Sequence, residues 1–256
     1  MTQLECVDLV IIGSGPAGAV MAHEAAKRGK RCLVLERGPR VDSTGLHSHM
    51  QELHTIPRLY KDGGLFLTAE MDMFILQGTC VGGSSMLANM VMMRPAKDVF
   101  ERWRKLGAGV RWEQLTPLFD EVERDLNVQT PQAHNVSPSS ALFKAAAERL
   151  GLTPGFMKKA LGACDGCGYC NVACTLGTKQ SAMHTYLRWA EAAGARVISD
   201  AHVQRIEHRR GRASAVSVQL GRAREQLRVE ADQVVVAAGA IGSSALFGAR
   251  YTRQIK

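Results

Sequence analysis

Apolar residues occupy positions 7 and 9–12 almost without interruption, and most are β-branched, which predicts a strand buried on both faces. Residues 17–28 then have helical composition, and Gly29 ends them. A second apolar run covers 31–35 and stops at Glu36. Together these segments predict a βαβ unit within residues 7–37. Regular period is lost over 38–64, where Pro39, Pro57 and the pair Gly63-Gly64 predict an irregular excursion. Residues 65–76 are apolar with strand character. Helical spacing returns at 98–106 and 112–126, with Asp98 and Thr116 near plausible caps. Pro, Asn and Ser mark a loop at 129–140, and helices are predicted at 141–150 and 181–193. Residues 196–199, 202–207, 215–220 and 226–229 alternate like strands of a small meander. A last continuous run at 234–237 leads into a short helix over 241–249, so the parallel sheet is revisited near the end. No internal repeat or low-complexity tract is present.

Chemistry enters at the junction of the first strand and helix. Gly13, Gly15 and Gly18 form Gly-x-Gly-x-x-Gly there. The first glycine permits the tight exit from the strand. The second lets a pyrophosphate approach the backbone, and the third lets helix and sheet pack closely. The free N–H groups of the helix start favour phosphate. Glu36, ending the second strand, is placed to accept hydrogen bonds from adenosine ribose hydroxyls. Strand, helix, second strand and terminal acid all agree, which is the context this motif needs.

A second glycine segment follows at 77–85, Gln-Gly-Thr-Cys-Val-Gly-Gly-Ser-Ser, running into the helix-compatible 86–90. Gly82, Gly83, Ser84 and Ser85 offer a further set of backbone and hydroxyl donors. Two anionic cradles in one chain suit a dinucleotide held along its length.

Composition narrows the choice. The chain has 256 residues, enough for one large domain, and a formal net charge of +8. The basic residues are dispersed, and the cluster His208, Arg209, Arg210 and Arg212 lies between two strand-like runs, as in a solvated hairpin turn. Aromatic residues make up only 5%, which argues against a base-stacking, nucleic-acid-binding surface. No transmembrane segment or signal peptide is evident, so a cytoplasmic location is expected. His47, His49 and His54 lack the cysteine or acidic partners of a metal-ligand spacing and read as a polar surface.

Of seven cysteines, Cys6 and Cys32 read as small apolar residues in or beside core strands. Cys164, Cys167, Cys170 and Cys174 are packed as Cys-x2-Cys-x2-Cys-x3-Cys, the spacing of a bacterial ferredoxin run with Thr175 in place of proline. Three readings stand: an iron–sulfur cluster, a zinc site bracing the loop, or thiols and disulfides without metal.

In combination these segments resemble the N-terminal part of a glucose–methanol–choline (GMC) oxidoreductase. Residues 13–36 match the ADP-binding unit of that FAD-dependent family, and 77–95 its signature around the flavin. The stretch 164–187 resembles a cysteine-bearing segment of the branch that includes long-chain alcohol oxidases and bacterial alcohol dehydrogenases. Val203 and residues 234–247 match the strand that contacts adenine and the strand returning near the flavin. Asn89 lies one position beyond the family's usual asparagine, which this chain replaces with Ala88.

The resemblance implies an α/β, Rossmann-like FAD-binding domain with a parallel sheet, a small β-meander and helical insertions, truncated relative to the full GMC fold. The Rossmann core would comprise 5–37, 77–95 and 195–249, with an excursion at 38–76 and a helical, cysteine-rich insertion at 96–194. The FAD-binding residues implied are Gly13, Gly15, Pro16, Ala17, Gly18, Glu36, Arg37, Gly82, Gly83, Ser84, Ser85, Asn89, Met90, Val91, Val203, Ala238 and Gly239, with Ala240 beside them. The implied reaction is oxidation of an alcohol, hydride passing to flavin N5 while a base takes the hydroxyl proton. The C-terminal substrate domain, which carries the family's histidine at the flavin, is not matched within 1–256. No catalytic base is assigned, and activity is expected to need a C-terminal half or a partner chain supplying it. Two alternatives remain: an electron-transfer subunit with a metal at the cysteines, or an inactive FAD-binding fragment.

Overall fold

A computed structural model describes residues 2–41, 51–174 and 176–251. Strand β1 (Thr2–Ile12) carries the β-branched run, and Val10 and Ile11 are fully buried at its centre. Helix α1 (Pro16–Lys27) starts with proline in its first turn and is followed by Gly29 at φ +72°. Strand β2 (Cys32–Leu35) is buried at every position. Helix α2 (Gln51–Leu59) crosses the excursion; His54 on it is exposed, whereas His47 and His49 lie outside the described residues.

Helices α3 (Lys97–Lys105), α4 (Trp112–Asp125) and α5 (Pro138–Arg149) form the insertion. The short strands β3 (Val128–Gln129) and β4 (Lys159–Ala160) pair antiparallel within it. Helix α6 (Tyr186–Ala192) leads into β5 (Arg196–Ile198), β6 (Ala201–Arg209), β7 (Arg212–Leu220) and β8 (Glu225–Val236), and α7 (Gly239–Tyr251) follows.

The main sheet has the order β5-β2-β1-β8-β7-β6. The first four strands are parallel, and β8, β7 and β6 continue as an antiparallel meander. The class is therefore mixed α/β and Rossmann-like, as the sequence indicates. One face of the sheet carries α1 and α6, where Ala19, Ala22 and Ala26 allow close approach to Leu187 and Ala190. On the other face Val203, Val216 and Val218 of the meander pack with Val10, Leu33 and Leu35. No helix among the described residues is long and apolar enough to cross a membrane.

Four local expectations change. Residues 65–76 are no strand: only an isolated pairing of Leu67 with Phe74 forms, and Leu65, Met71, Met73 and Phe74 face outward. Helix α6 begins at Tyr186 rather than at 181, because Ala182 N donates to Ser85 Oγ at 3.0 Å and ties the preceding turn to another segment. Asp98 lies inside the first turn of α3, whose N-cap is Ala96. Thr116 lies within α4, where its hydroxyl donates to Trp112 O.

Candidate functional site

The carboxyl ends of β2, β1 and β8 meet at one edge, the place where open α/β sheets bind ligands. Gly13 takes φ +100° there, and a Cβ on it would lie 2.5 Å from Ala237 O. A side chain at Gly18 would lie 2.0 Å from Gly13 O, so helix and strand touch backbone to backbone. Gly15 differs, because a Cβ there would meet nothing within 4 Å. It is the N-cap of α1 and has no side-chain cap, so the N–H groups at the helix start, beside exposed Pro16 and Ala17, face open space.

Glu36 is buried at the end of β2. Its Oε2 accepts from Ser14 N at 3.0 Å and Ser14 Oγ at 2.7 Å, and its Oε1 accepts from Gly38 N at 2.9 Å. Oε2 has both lone pairs engaged, but Oε1 retains acceptor capacity, so a ribose hydroxyl still has a partner there. Ser14 Oγ also accepts from Gly82 N at 3.0 Å. One hydroxyl thus joins the first glycine motif, the acid and the second glycine motif. Sequence reasoning passed over Ser14, since the motif's spacing constrains only the glycines around it.

The second segment makes a turn and a short 3-10 helix, Gly83–Met86. Gly82 and Gly83 take φ +91° and +57°, and a Cβ on Gly83 would lie 3.0 Å from Gly15 Cα. The two motifs therefore face each other with no side chain between them. The serine hydroxyls brace the turn: Ser85 Oγ donates to Gly82 O at 2.7 Å, and Ser84 Oγ accepts from Gly78 N at 2.9 Å. Beyond it Asn89 is exposed, Met90 takes φ +55°, and Val91 pairs with Lys159. Ala201 N donates to Glu36 O at 2.7 Å, which brings the start of β6, and Val203 with it, toward the acid. Arg37 beside Glu36 is exposed. Ala238 and Gly239 lie between β8 and α7, Gly239 at φ +77°.

The cysteine segment brings its thiols to the far side of the second glycine turn. All seven cysteines are free thiols, and among the described residues no three His, Cys, Asp or Glu side chains are grouped to hold a metal. Cys164, Cys167, Cys170 and Cys174, expected as iron–sulfur or zinc ligands, are not drawn together as such a set in this structure. Lys179 ties this segment to the second glycine turn. It is fully buried and donates to Met86 O, to Cys170 O at 2.8 Å and to Ala88 O at 3.2 Å. Its ammonium is thus held by backbone carbonyls of both segments. Burial pulls the Lys179 ammonium down to about 8, opposed by the nearby Cys170, Cys174 and Cys80. Burial raises Cys174, but N–H groups of Lys179, Leu176 and Thr178 and the Thr178 hydroxyl outweigh it and leave the thiol below its ordinary value. Nothing in the polar stretch 178–181 marks Lys179 as a core residue.

The arrangement fits a dinucleotide: open backbone at Gly15 and Gly83 for a pyrophosphate, and a carboxylate with spare acceptor capacity next to it. Residues 56–249 match the family described as GMC oxidoreductase, and residues 11–57 match an NAD(P)-binding Rossmann-like domain. A GMC-type oxidoreductase from Mycobacterium tuberculosis is 35% identical over 243 residues, covering 91% of this chain and 37% of that protein. A long-chain-alcohol oxidase from Arabidopsis thaliana is 28% identical over 210 residues, covering 80% of this chain and 27% of that one. Among solved structures, a pyridoxine 4-oxidase from Mesorbium loti shares the fold with a TM-score of 0.69 at 21% identity, over 94% of this chain and 51% of that chain. The chain thus spans about a quarter to a half of the length of these relatives.

Proposed function

Because the chain belongs to the GMC oxidoreductase family, we propose that it is the FAD-binding portion of a flavoenzyme that oxidises a CH–OH group. The observation that carries this reading is the approach of Gly83 to Gly15, where a Cβ would come within 3.0 Å of backbone. Two glycine turns presented to each other make a backbone cradle for a pyrophosphate. Gly13, Gly15, Pro16, Ala17 and Gly18 would hold the ADP side, with Glu36 on the ribose and Arg37 and Val203 toward adenine. Gly82, Gly83, Ser84, Ser85, Asn89, Met90 and Val91 would line the pyrophosphate and flavin, with Ala238 and Gly239 on the flavin side. Bound FAD supplies the hydride acceptor for alcohol oxidation. No residue of this chain is assigned as base, and substrate is proposed to be met by a C-terminal half or a partner chain supplying it. The long-chain-alcohol oxidase and a cholesterol oxidase from Mycobacterium tuberculosis among the relatives support an alcohol or sterol as the substrate class.

Calorimetric titration of the apo-protein with FAD tests the reading. One FAD bound per chain is expected, giving a yellow protein. A colourless protein that takes up no FAD overturns it.

A further inference from the structure

Gln77 precedes the second glycine turn, and its backbone is fixed on three sides. Its carbonyl accepts from Lys61 N at 2.8 Å, Gly78 N donates to Ser84 Oγ, and Thr79 N donates to Leu59 O at 2.7 Å. The side chain runs toward α7. A Cβ added to Gly239 would lie 3.6 Å from Gln77 Nε2, so the carboxamide rests over the bare backbone at the head of that helix. Yet Gln77 Oε1 is buried and has no hydrogen-bond partner among the described residues. Leaving a carbonyl oxygen desolvated and unsatisfied is costly, so buried acceptors of this kind are uncommon and call for a donor from elsewhere.

The sheet order says which donor. Glu36 ends β2, the Gly15–Gly83 cradle lies at the end of β1, and Gly239 follows β8, the next strand over. A dinucleotide with its adenosine ribose on Glu36 and its pyrophosphate on the cradle continues toward β8. In FAD the group next to the pyrophosphate on that side is the ribityl chain, which carries hydroxyl donors. We infer that Gln77 is a binding residue for the flavin half of FAD, its Oε1 accepting a hydrogen bond from a ribityl hydroxyl. This rests on the FAD reading above, and it adds a side chain to the glycines, serines and Asn89 named there.

The test compares FAD with ADP, which lacks the ribityl chain, on the apo-protein. For Gln77→Met, FAD affinity is expected to fall about five- to tenfold, the worth of one neutral hydrogen bond, while ADP affinity stays within about twofold. Because the substitution removes an unsatisfied buried acceptor, the apo-protein is expected to melt at the same temperature or higher, whereas the FAD-induced rise in melting temperature shrinks. Gln77→Leu should behave alike. Equal losses for FAD and ADP, unchanged FAD affinity, or a markedly destabilised apo-protein in both variants overturns the inference and makes the carboxamide a structural group. A wild-type chain that binds ADP and FAD equally also overturns it. A wild-type chain that binds neither overturns the FAD reading as well, so the two failures are distinguishable.

Discussion

Ser14 Oγ donates to Glu36 Oε2 at 2.7 Å and itself accepts from Gly82 N at 3.0 Å. Both side chains are buried. The pair therefore sets the distance between the first glycine turn, the end of β2 and the second glycine turn. Ser14→Ala removes a charge-assisted bond from a buried carboxylate and leaves Gly82 N without its acceptor. The expected cost is about 2 kcal/mol of unfolding free energy, read by urea denaturation, together with weaker FAD binding. A loss below about 0.5 kcal/mol would mean the hydroxyl does not hold the two turns together.

Gly15 and Gly18 separate binding from folding. A methyl group at Gly15 meets no protein atom within 4 Å, and its φ is −63°. Gly15→Ala is therefore expected to melt like the wild type but to lose FAD binding by at least about tenfold, because the methyl stands where the pyrophosphate approaches the backbone. At Gly18 a methyl would sit 2.0 Å from Gly13 O, so Gly18→Ala is expected to unfold or fall by several kcal/mol. Paired melting curves and FAD titrations check both. Intact FAD affinity in Gly15→Ala would remove the cradle from the ligand site.

Much of this site is legible in the sequence because its rules are local. Strand β1, helix α1 and β2 follow from apolar period and from three glycines whose roles are backbone geometry, and the meander follows from alternation. The residues that escaped notice act across the fold. Ser14, Gln77 and Lys179 lie 63 to 165 positions apart and acquire their roles only when the glycine turns and the cysteine segment come together. Likewise, residues 181–185 have helical composition, but Ala182 N is used by Ser85 Oγ. The apolar 65–76 misled because burial, which turns apolar character into a strand, is set by neighbours that sequence period does not report.

Lys179 holds the far side of the second glycine turn. Its ammonium joins Met86 O and Ala88 O to Cys170 O, with no carboxylate among its hydrogen-bond partners. Lys179→Met fills a similar volume but leaves three carbonyls without this donor. A destabilisation of about 3 kcal/mol is expected, with FAD affinity reduced because the backbone before Asn89 loses its anchor. Chemical denaturation and a FAD titration measure the two effects. A variant as stable as the wild type would show that the ammonium adds nothing to the turn.

Thiol reactivity should follow burial. Cys80 is buried and its thiol is pushed up to about 12 by burial and by the Glu36 carboxylate nearby, opposed by Lys179. Cys6 and Cys167 are exposed. In the native protein a disulfide reagent is expected to label Cys6 and Cys167 within minutes and Cys80 only on unfolding, as read by peptide mass mapping. Rapid native labelling of Cys80 would contradict its position beneath the second glycine turn.

Acid should weaken the fold in a window set by two histidines. Burial holds His184 below its ordinary value, helped by the charges of Lys179 and Arg188, and burial with Arg37 does the same for His202. In each case the unfolded chain takes up a proton before the folded one. Stability is therefore retained above the unfolded value of 6.5 and lost as pH falls from there toward the folded values. Carboxylates act lower: Glu207, held down by Ser217 and Arg228 against its desolvation, and Glu123, held down by Arg94, lose their contribution only below the ordinary glutamate value of 4.5. Between pH 7 and 5 the histidines dominate, with a slope bounded at about 1.4 kcal/mol per pH unit for each proton. The His184→Gln variant is expected to flatten the fall over this window and His184→Gln/His202→Gln to flatten it further, measured as denaturation midpoints at half-unit pH steps. His184 also hydrogen-bonds Ser181 Oγ at 2.7 Å, next to the Ala182 that Ser85 holds, so the same acid window should loosen FAD. Equal slopes in wild type and both variants would assign the acid sensitivity to other groups.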